Sequence, residues 1–432
     1  MKLRFIPLGA AALIAAGAWW AFARPARLAA AESSRNAERA RLELEIRSKD
    51  IEFYIKRAKE DLQSAEDCAM VAGLYLQRAR ETGDVNDYRA AERYADESLA
   101  LRMVRNGKAR LTYASALLAQ HKFPQALAAA RTLVDGDPYQ PRYRALYAEL
   151  LVEMGRYDTA RVQFDSLRND TRTLAVAPRY ARYLEFVGRT DLARWVLRRA
   201  VNDTRDAELP REQIAWFHLR MADLELRNGR LRVAAREIAD GLRGAPDDGR
   251  LWAARARMHA LEGNWRAVLH DVERVGDRRD IATTALAGDA YSALGDTAKA
   301  ATTWAAIEAM ARDNPEPFNR QYTLFHLEHG IHVDETRMLL EREIAIRQDV
   351  YGWDQLAFAR YLTNDISGAA RAIKAAMATG TKDANLYYRA AIITRAQGDT
   401  ARARALAAQA LELNPYFHHR YVADARALAR AR

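Results

Sequence analysis

A pattern of apolar and polar positions that suits paired short helices runs through most of this chain and is clearest over residues 141–167. Apolar side chains recur there every three to four residues, the period of an α-helix with one buried face. They fall on one face of each of two helices: Tyr147, Ala148 and Leu151 on the first, and Tyr157, Ala160, Phe164 and Leu167 on the second. Gly155 stands between the helices, where glycine accommodates the left-handed backbone of a tight turn. The segment therefore predicts a helix pair.

The same pattern returns along the chain with a nearly constant period. A small or branched residue marks the centre of each second helix, and neighbouring markers are mostly 32 to 35 residues apart. We place the markers at Ala91, Ala126, Ala160, Ala193, Ala234, Val268, Ala300, Met338, Ala369 and Ala403. The unit around Met338 is irregular. Sustained self-similarity at this period predicts one continuous α-solenoid over residues 64–416.

Several of the repeated residues match a known repeat family. Trp252 and Trp353 stand at the position of its first-helix tryptophan, and residues 287–291 approximate its Leu-Gly-x-x-Tyr segment. Asn414-Pro415 meets its closing Asn-Pro. On these residues the chain resembles the tetratricopeptide repeat family over about residues 65–415. The resemblance implies an all-α fold, a right-handed α-solenoid of about ten helix pairs, whose last apolar face is covered by a capping helix over residues 417–432.

The N-terminal residues form an apolar run. Residues 5–23 carry no charge over 19 positions, and as a helix they would span about 28 Å, close to the hydrocarbon thickness of a bilayer. Trp19 and Trp20 fall near the end of the run, where indole rings favour the membrane interface, and Arg24 closes it. We predict a transmembrane or signal-anchor helix over residues 1–23.

The fate of this N-terminal segment has two alternatives. Residues 21–23 and 29–31 both fit a small-x-small cleavage site, so the run also suits a signal peptide that is removed. The short basic N-terminus favours an orientation in which the rest of the chain crosses the membrane. We therefore expect a single-pass protein of a bacterial inner membrane with its repeats in the periplasm, or a secreted protein after cleavage. Residues 24–63 are predicted to be a linker and an N-terminal helix, with Ser48 as a candidate N-cap.

Composition and charge restrict the possible partners. Lys and Arg number 67 against 57 Asp and Glu, which gives a net charge of +10. The basic residues are spread along the chain, so no nucleic-acid footprint is indicated, whereas anionic lipid and acidic protein surfaces remain compatible. The single cysteine, Cys68, lies in an apolar helical run and is predicted to be buried. One cysteine allows no internal disulfide and no cysteine-based zinc cluster.

The chain lacks the sequence signatures of catalysis. No phosphate-binding glycine loop and no HExxH, GxSxG or CxxC motif occurs. His326 and His329 are spaced i, i+3 on one predicted helix and could share a metal ion, but Gly330 suits the turn of that unit and ordinary packing is the simpler interpretation. His418 and His419 are interpreted as a solvated pair. We therefore predict that the protein is not an enzyme and binds no cofactor, metal, nucleic acid or small-molecule substrate.

The remaining candidate site is the concave groove lined by the first helices of the repeats, a surface suited to peptides and extended segments. Guanidinium groups hold carboxylates in bidentate pairs, and aromatic rings supply contact area at low entropy cost. The inward-facing positions by repeat register are Arg142, Arg182, Trp216, Arg250, Arg257, Tyr351, Phe358, Tyr361, Tyr388 and Arg395. The alternative is that these residues solvate the groove or pack between repeats.

These observations favour a non-enzymatic scaffold, anchored to the membrane, that binds partner proteins through its repeat surface. By resemblance to anchored bacterial proteins with this repeat, the partners would be membrane or envelope proteins, and the role would lie in assembling envelope complexes. The alternative is a permanent accessory subunit of a membrane protein complex that uses its anchor helix and convex face. A large exposed apolar patch outside the groove would favour that alternative.

Overall fold

The computed structural model describes residues 8–205, 207–313 and 319–430, with side chains from residue 34 onward except that of residue 278. The described residues form an all-helical fold of 22 α-helices, with two short 3₁₀ turns at Arg168–Asp170 and Gly276–Arg278 and no β-strand. The helices are α1 (Leu8–Glu60), α2 (Ala65–Thr82), α3 (Val85–Leu101), α4 (Gly107–Ala119), α5 (Phe123–Gly136), α6 (Pro141–Glu153), α7 (Tyr157–Ser166), α8 (Ala177–Phe186), α9 (Thr190–Asp203), α10 (Arg211–Arg227), α11 (Leu231–Gly244), α12 (Gly249–Leu261), α13 (Trp265–Val275), α14 (Ile281–Ala293), α15 (Thr297–Asp313), α16 (Arg320–His329), α17 (Val333–Ile344), α18 (Val350–Leu362), α19 (Ile366–Met377), α20 (Ala384–Ala396), α21 (Thr400–Leu413) and α22 (Val422–Arg430).

The helices from α2 onward stack in a regular order. Even-numbered helices pack against the odd-numbered helix that follows, and most also pack against the next even-numbered helix. Below, the even-numbered helices are called first helices and the odd-numbered ones second helices. This stacking is the solenoid arrangement predicted from the period of the sequence. The last helix, α22, packs against α21 at the end of the stack.

The interior of the stack holds nearly all the residues predicted to lie there. The nine alanine and valine markers at the centres of the second helices are each at most 1% exposed. Cys68 is buried on α2, as predicted, and burial raises the pKa of its thiol. The marker at Met338 was wrong, because that side chain is 51% exposed and Thr336 fills the interior position of α17. The polar Thr336 is tolerated there because its hydroxyl is hydrogen-bonded to His326 Nδ1 at 3.0 Å.

The helix α1 is continuous over 53 residues, which corresponds to about 80 Å at 1.5 Å per residue. Side-chain contacts that join it to the solenoid include Arg47 with Glu81, Glu43 with Arg211, and Asn36 with the carbonyl oxygen of Arg243. Ser48 was predicted to cap a new helix, and this prediction was wrong. It lies within α1, where its hydroxyl accepts a hydrogen bond from Arg78 at 3.3 Å.

The predicted anchor, residues 1–23, lies outside the residues whose side chains the structure describes. The backbone is helical from residue 8, and the side chains of Trp19, Trp20 and Arg24 are not among those described. Within the described part of the chain, no helix combines the length and the apolar content needed to cross a membrane.

The solenoid turns back onto itself, so that segments about 190 residues apart in sequence are in contact. Three turns between a first and a second helix meet three later connections: the Val350 N–H donates to Tyr157 Oη at 2.9 Å, the Thr381 hydroxyl to the Phe186 carbonyl oxygen at 2.5 Å, and Asn414 Nδ2 to the Leu226 carbonyl oxygen at 3.0 Å. We call this line of contacts the inter-turn seam. It adds long-range contacts to a stack that would otherwise be held by neighbouring repeats alone.

Glycine is required where the seam is tightest. Gly155 has φ = +75° and Gly188 has φ = +71°, a conformation that non-glycine residues adopt at a cost. A Cβ atom on Gly155 would overlap the backbone of Gln348, and one on Gly188 would overlap the carbonyl oxygen of Gly380. Gly263, with φ = +73°, occupies a turn outside the seam and would have no described atom within 4 Å of its Cβ. The seam therefore adds a steric requirement to the conformational one.

A buried ion-pair network stabilises the first contact of the seam. Arg320 donates from Nη1 to Asp349 at 2.7 Å and from Nε to Glu343 at 2.8 Å. Arg347 reaches across the seam to Glu153, whose carbonyl oxygen accepts from Nε at 2.7 Å and whose carboxylate accepts from Nη2. The two arginines hold the pKa of Asp349 below its usual range although burial opposes this, whereas burial raises the pKa of Glu343. The network thus brings two cations to acids that burial would otherwise destabilise.

Candidate functional site

A series of ion pairs runs along the surface formed by the first helices. Each pair joins a cation on one first helix to an acid on the preceding one: Lys108 to Glu66 at 3.0 Å, Arg179 to Glu149 at 2.7 Å, Arg250 to Glu212 at 3.2 Å, and Arg257 to Asp223 at 2.7 Å. We call these pairs the first-helix ladder. Because most of its members are partly exposed, each pair contributes little stability, typically below about 1 kcal/mol. Its structural effect is to hold long side chains in defined positions on this surface.

The predicted groove residues of the N-terminal half lie on or beside the ladder. Arg250 and Arg257 are members of it, and Arg250 also donates to Asp248, the N-cap of α12. Arg142 is exposed at the start of α6. Trp216 is half-buried on α10. These positions remain the predicted contacts for a partner.

Three of the five predicted residues of the C-terminal half, Phe358, Tyr388 and Arg395, contact the end of the chain itself. Phe358 and Tyr388 are buried, with their ring centroids 6.1 Å and 5.3 Å from that of Tyr421. Tyr388 donates to Asp424 at 3.0 Å, and burial together with this carboxylate raises the pKa of Tyr388. Tyr361 is half-buried against the same core, and Arg395 lies 4.0 Å from Asp424. This part of the first-helix surface is therefore occupied by residues 417–424. The fifth predicted residue, Tyr351, lies instead beside Arg182.

The histidine pair near the C-terminus joins this segment to two earlier first helices. His419 Nε2 lies 2.9 Å from Asp289 on α14, and Arg420 donates to the same carboxylate from Nε at 3.2 Å. His418 Nε2 lies 3.1 Å from Glu328 on α16. The interpretation of His418 and His419 as a solvated pair was wrong, since each side chain is only 15% exposed. We call these contacts the C-terminal clasp.

Asp289 is the acceptor on which the clasp converges. Besides His419 and Arg420, His329 lies within 3.0 Å of its carboxylate. Although burial opposes it, these hydrogen bonds and the guanidinium charge hold the pKa of Asp289 below its usual range. Burial lowers the pKa of His419. The sequence could not reveal this convergence, because 130 residues separate Asp289 from His419.

Replacing Asp289 with asparagine is expected to release residues 415–422 from the first helices. The amide keeps the size of the side chain but loses the charge that His419 and Arg420 approach, and a hydrogen bond to a charged group contributes about 1.5–3 kcal/mol. Hydrogen exchange at the amides of residues 416–422 should accelerate about tenfold or more. The matched control is Asp296→Asn, in the exposed turn of the same repeat, where exchange at residues 416–422 should not change. Unchanged exchange in both variants would show that the clasp does not hold this segment.

His326, the centre of the metal alternative, is a packed residue. Its ring is buried, with Nδ1 3.0 Å from the Thr336 hydroxyl and Nε2 3.0 Å from Glu308 Oε1. His329 instead points to Asp289, so the two histidines do not converge. Among the described residues, no group of three or more His, Cys, Asp or Glu side chains is placed to hold a metal ion. The contacts of His326 agree with ordinary packing.

Three arginines, one on α8 and two on α10, surround one carboxylate of α8. Arg227 donates to Glu185 Oε2. Arg220 and Arg182 bring guanidinium nitrogens to 3.6 Å and 3.8 Å from the same carboxylate. Although burial opposes it, the three guanidinium groups hold the pKa of Glu185 below its usual range. We call these four residues the arginine cluster. The structure also places Arg182 over the ring of Tyr351, at 5.6 Å, so two predicted groove residues from distant repeats meet here.

Two members of the arginine cluster, Arg220 and Arg227, were not among the predicted site residues. They follow Trp216 by 4 and 11 positions on α10, and this spacing returns to the same face of a helix. The helical period alone could therefore have identified both residues once Trp216 was placed on the first-helix surface. Their approach to Tyr351 could not be read from that period, because it depends on the fold of the whole solenoid.

A cleft of about 1170 Å³ opens at the N-terminal end of the inter-turn seam. One wall is formed by residues 82–85 and Phe123, and the other by residues 279–281 and 319–321. The lining contains Arg78, Asp84, Asp87, Glu153, Arg279, Asp280, Asp313, Arg320 and Arg347 together with several apolar side chains. Because charges of both signs alternate along it, the cleft does not select a partner of one charge.

One segment of the chain matches a known family model. Residues 117–182 match the family model of the tetratricopeptide repeat. This segment extends from the end of α4 through the first part of α8 and includes the helix pair from which the sequence pattern was first read. No curated protein matches the chain.

Many solved structures align with this chain, including the following two, which cover most of its length. The crystal structure of the APC/C hetero-tetramer Cut9-Hcn1 has 12% sequence identity and a TM-score of 0.36, with 90% of this chain and 94% of that chain covered. The human IFIT1 dimer with PPP-AAAA has 16% identity and a TM-score of 0.47, with 73% of each chain covered.

Proposed function

We propose that this chain is a non-enzymatic scaffold that binds partner proteins through its first-helix surface, on the basis of the match of residues 117–182 to the tetratricopeptide repeat. The observation that supports the proposal most directly is the first-helix ladder. Its ion pairs hold arginine side chains in place before any partner arrives, for example Arg257 on Asp223 at 2.7 Å. A surface ordered in advance loses little conformational entropy on binding, which favours affinity.

The part of this surface proposed for binding is the N-terminal half. There Arg142 is exposed, Arg257 is 51% exposed, and Trp216 is half-buried. The C-terminal half is covered by the chain itself, because residues 417–424 lie on Phe358 and Tyr388. The first helices from α6 to α12 are therefore proposed as the part accessible to a partner, because residues 417–424 cover the surface of α18 and α20.

We further propose that residues 1–23 anchor the chain to a bacterial inner membrane and that the solenoid lies in the periplasm, where it would assist the assembly of envelope complexes. Support comes from the uncharged residues 5–23 and from Trp19 and Trp20 near the end of that run. The continuous helix α1 would join this anchor to the solenoid without an intervening flexible linker. Cleavage after residues 21–23 or 29–31 would instead release a secreted protein.

Site-specific photo-crosslinking in native membranes tests the binding surface. A photoreactive residue at Arg142 or Arg257 should capture partner proteins. The same residue at Arg371, which is exposed on the second helix α19, should capture none of them. Capture from Arg371 but not from Arg142 or Arg257 would contradict the proposed surface. A chain that lacks residues 1–31 tests the anchor, because it should leave the membrane fraction while keeping its partners.

A permanent accessory subunit is the second candidate function, and one observation favours it. Val162 is 60% exposed on α7 and Trp195 is 57% exposed on α9. Each follows its buried marker alanine by two positions, so the two side chains present apolar surface at the same place in neighbouring second helices. A photoreactive residue at Trp195 should then capture the main partner, and removal of residues 1–31 should abolish the association. Capture from the first-helix surface alone would exclude this candidate.

A further inference from the structure

The arginine cluster contains more positive than negative charge. Arg182, Arg220 and Arg227 face a single carboxylate, that of Glu185. The arginines of the first-helix ladder differ in this respect, because each has an acid of its own at 2.7–3.2 Å. Gathering like charges in a partly desolvated place costs free energy unless an anion compensates them.

The guanidinium groups of the cluster are also short of hydrogen-bond acceptors. Arg227 donates to Glu185, whereas Arg182 and Arg220 stop 3.8 Å and 3.6 Å from it, beyond hydrogen-bonding distance. Within the described part of the chain, Glu185 Oε1 accepts no hydrogen bond although it is buried. Burial lowers the pKa of Arg220. Several N–H donors are thus gathered without the oxygen atoms that would satisfy them.

The acids around the cluster have other partners. Asp223 is paired with Arg257 at 2.7 Å, and Glu153 is paired with Arg347 across the seam. Asp383 accepts from two backbone N–H groups as the N-cap of α20 and lies 3.3 Å from Tyr351 Oη. The positive charge at the N-terminus of a helix offsets a carboxylate in that position. Each of these three acids therefore already compensates another positive group, and none of them neutralises the arginine cluster only.

The cluster is open to solvent and its geometry is constrained. The side chains of Arg182, Arg220 and Arg227 are 23%, 18% and 32% exposed. Arg182 lies over the ring of Phe186 at 4.4 Å and 5.6 Å from that of Tyr351, and the two rings contact each other edge-to-face at 5.5 Å, so the guanidinium is positioned by both rings. A group with two oxygen atoms can therefore reach donors that are already oriented.

We propose that the arginine cluster binds a carboxylate of an acidic segment in a protein partner. This assignment rests on the proposed scaffold function and adds the chemistry that the partner must carry. Two neighbouring guanidinium groups without acceptors suit the two oxygen atoms of a carboxylate in a bidentate arrangement. The net charge of +10 would steer an acidic segment toward the protein before the contact forms.

Fluorescence anisotropy with a fluorescein-labelled hexaglutamate peptide tests the assignment on the purified full-length chain. The hexaglutamate should bind, and a hexaglutamine peptide with the same label should not. Arg182→Gln and Arg220→Gln should each weaken binding about tenfold, the effect of losing one charge-assisted hydrogen bond. The matched control, Arg371→Gln, removes the same charge from an exposed position on α19 and should leave the affinity within about twofold, because it tests long-range attraction only. Equal losses in all three variants would overturn the proposal.

A second measurement on the unmodified chain covers the case in which a variant does not fold. Phenylglyoxal modifies accessible guanidinium groups, and mass spectrometry locates the modified residues. Hexaglutamate should protect Arg182 and Arg220 while Arg371 continues to react. No protection, or protection by inorganic phosphate but not by hexaglutamate, would overturn the carboxylate assignment. Partners captured by crosslinking from Arg142 or Arg257 that still bind the Arg220→Gln chain would contradict this inference and leave the scaffold function standing.

Discussion

Replacing Gly155 with alanine is expected to open the inter-turn seam and to destabilise the solenoid more than the same substitution at any turn outside the seam. Two costs add at this position. The backbone has φ = +75°, which costs an alanine about 1–2 kcal/mol. The new Cβ would overlap the backbone of Gln348, and such overpacking costs typically a further 1–3 kcal/mol. The backbone on the far side cannot rotate away as a flexible side chain would, so the seam has to separate.

Gly263→Ala is the matched control for this substitution. Gly263 has φ = +73°, and no described atom lies within 4 Å of the position of its Cβ. It should therefore show only the conformational cost of about 1–2 kcal/mol. Urea denaturation measures the difference in the free energy of unfolding, and hydrogen exchange locates it. Exchange at Gln348 and Val350, whose amides face Met154 and Tyr157, should rise for Gly155→Ala only. An equal loss of stability in the two variants would show that the seam is not a close contact in solution.

Replacing Arg320 with methionine is expected to cost about 3–5 kcal/mol, the range seen when one partner of a buried ion pair is removed. Arg320 binds both Asp349 and Glu343, whose side chains are almost fully buried. Methionine fills much of the volume of the arginine stem but neutralises neither acid. The affected region should include the start of α18, because Asp349 also caps that helix by accepting from the N–H groups of Tyr351 and Gly352. The measurement is urea denaturation of the purified chain, followed by circular dichroism.

Two further variants separate the charge effect from a packing effect in Arg320→Met. Arg243→Met removes an arginine whose pair with Asp240 is mostly exposed, so it should cost less than about 1 kcal/mol. Adding Glu343→Gln to Arg320→Met should recover part of the lost stability, because it removes one of the two buried acids that would otherwise have only Arg347 as a nearby cation. If the double variant is less stable than Arg320→Met, the loss comes from packing and not from unpaired charge.

The sequence predicted burial best at positions where burial depends only on contacts between residues that are close in the chain. The nine alanine and valine markers are buried because two helices of a pair approach closely at those positions, and a helical period reveals such positions directly. The prediction failed at Met338 because the sequence offered a larger apolar residue two positions after Thr336. Thr336 could be recognised only once the structure showed His326 next to its hydroxyl. Ser48 failed for a related reason, since a residue that often caps helices can also lie within one.

In the candidate site, too, some residues could be predicted from the sequence and others could be recognised only in the structure. The helical period placed Arg250, Arg257 and Trp216 on the first-helix surface. It also placed Phe358 and Tyr388 there, but it could not show that residues 417–424 cover them. The sequence of a capping segment does not indicate which surface of the fold the segment packs against. The arginine cluster was predicted only through Arg182, although Arg220 and Arg227 follow Trp216 at helical spacing on α10.

The amino-acid sequence by itself determined that this protein is a stack of helix pairs with small residues at their centres, because both features arise from contacts between residues close in the chain. Only the tertiary structure decided how the stack closes on itself. The inter-turn seam, the C-terminal clasp and the meeting of Arg182 with Tyr351 join residues from about 90 to 195 positions apart. The small rotation between successive repeats, accumulated over several helix pairs, selects which residues meet at that distance. The accumulated rotation cannot be read from any local sequence pattern, so the contacts of the candidate site could be recognised only in the folded chain.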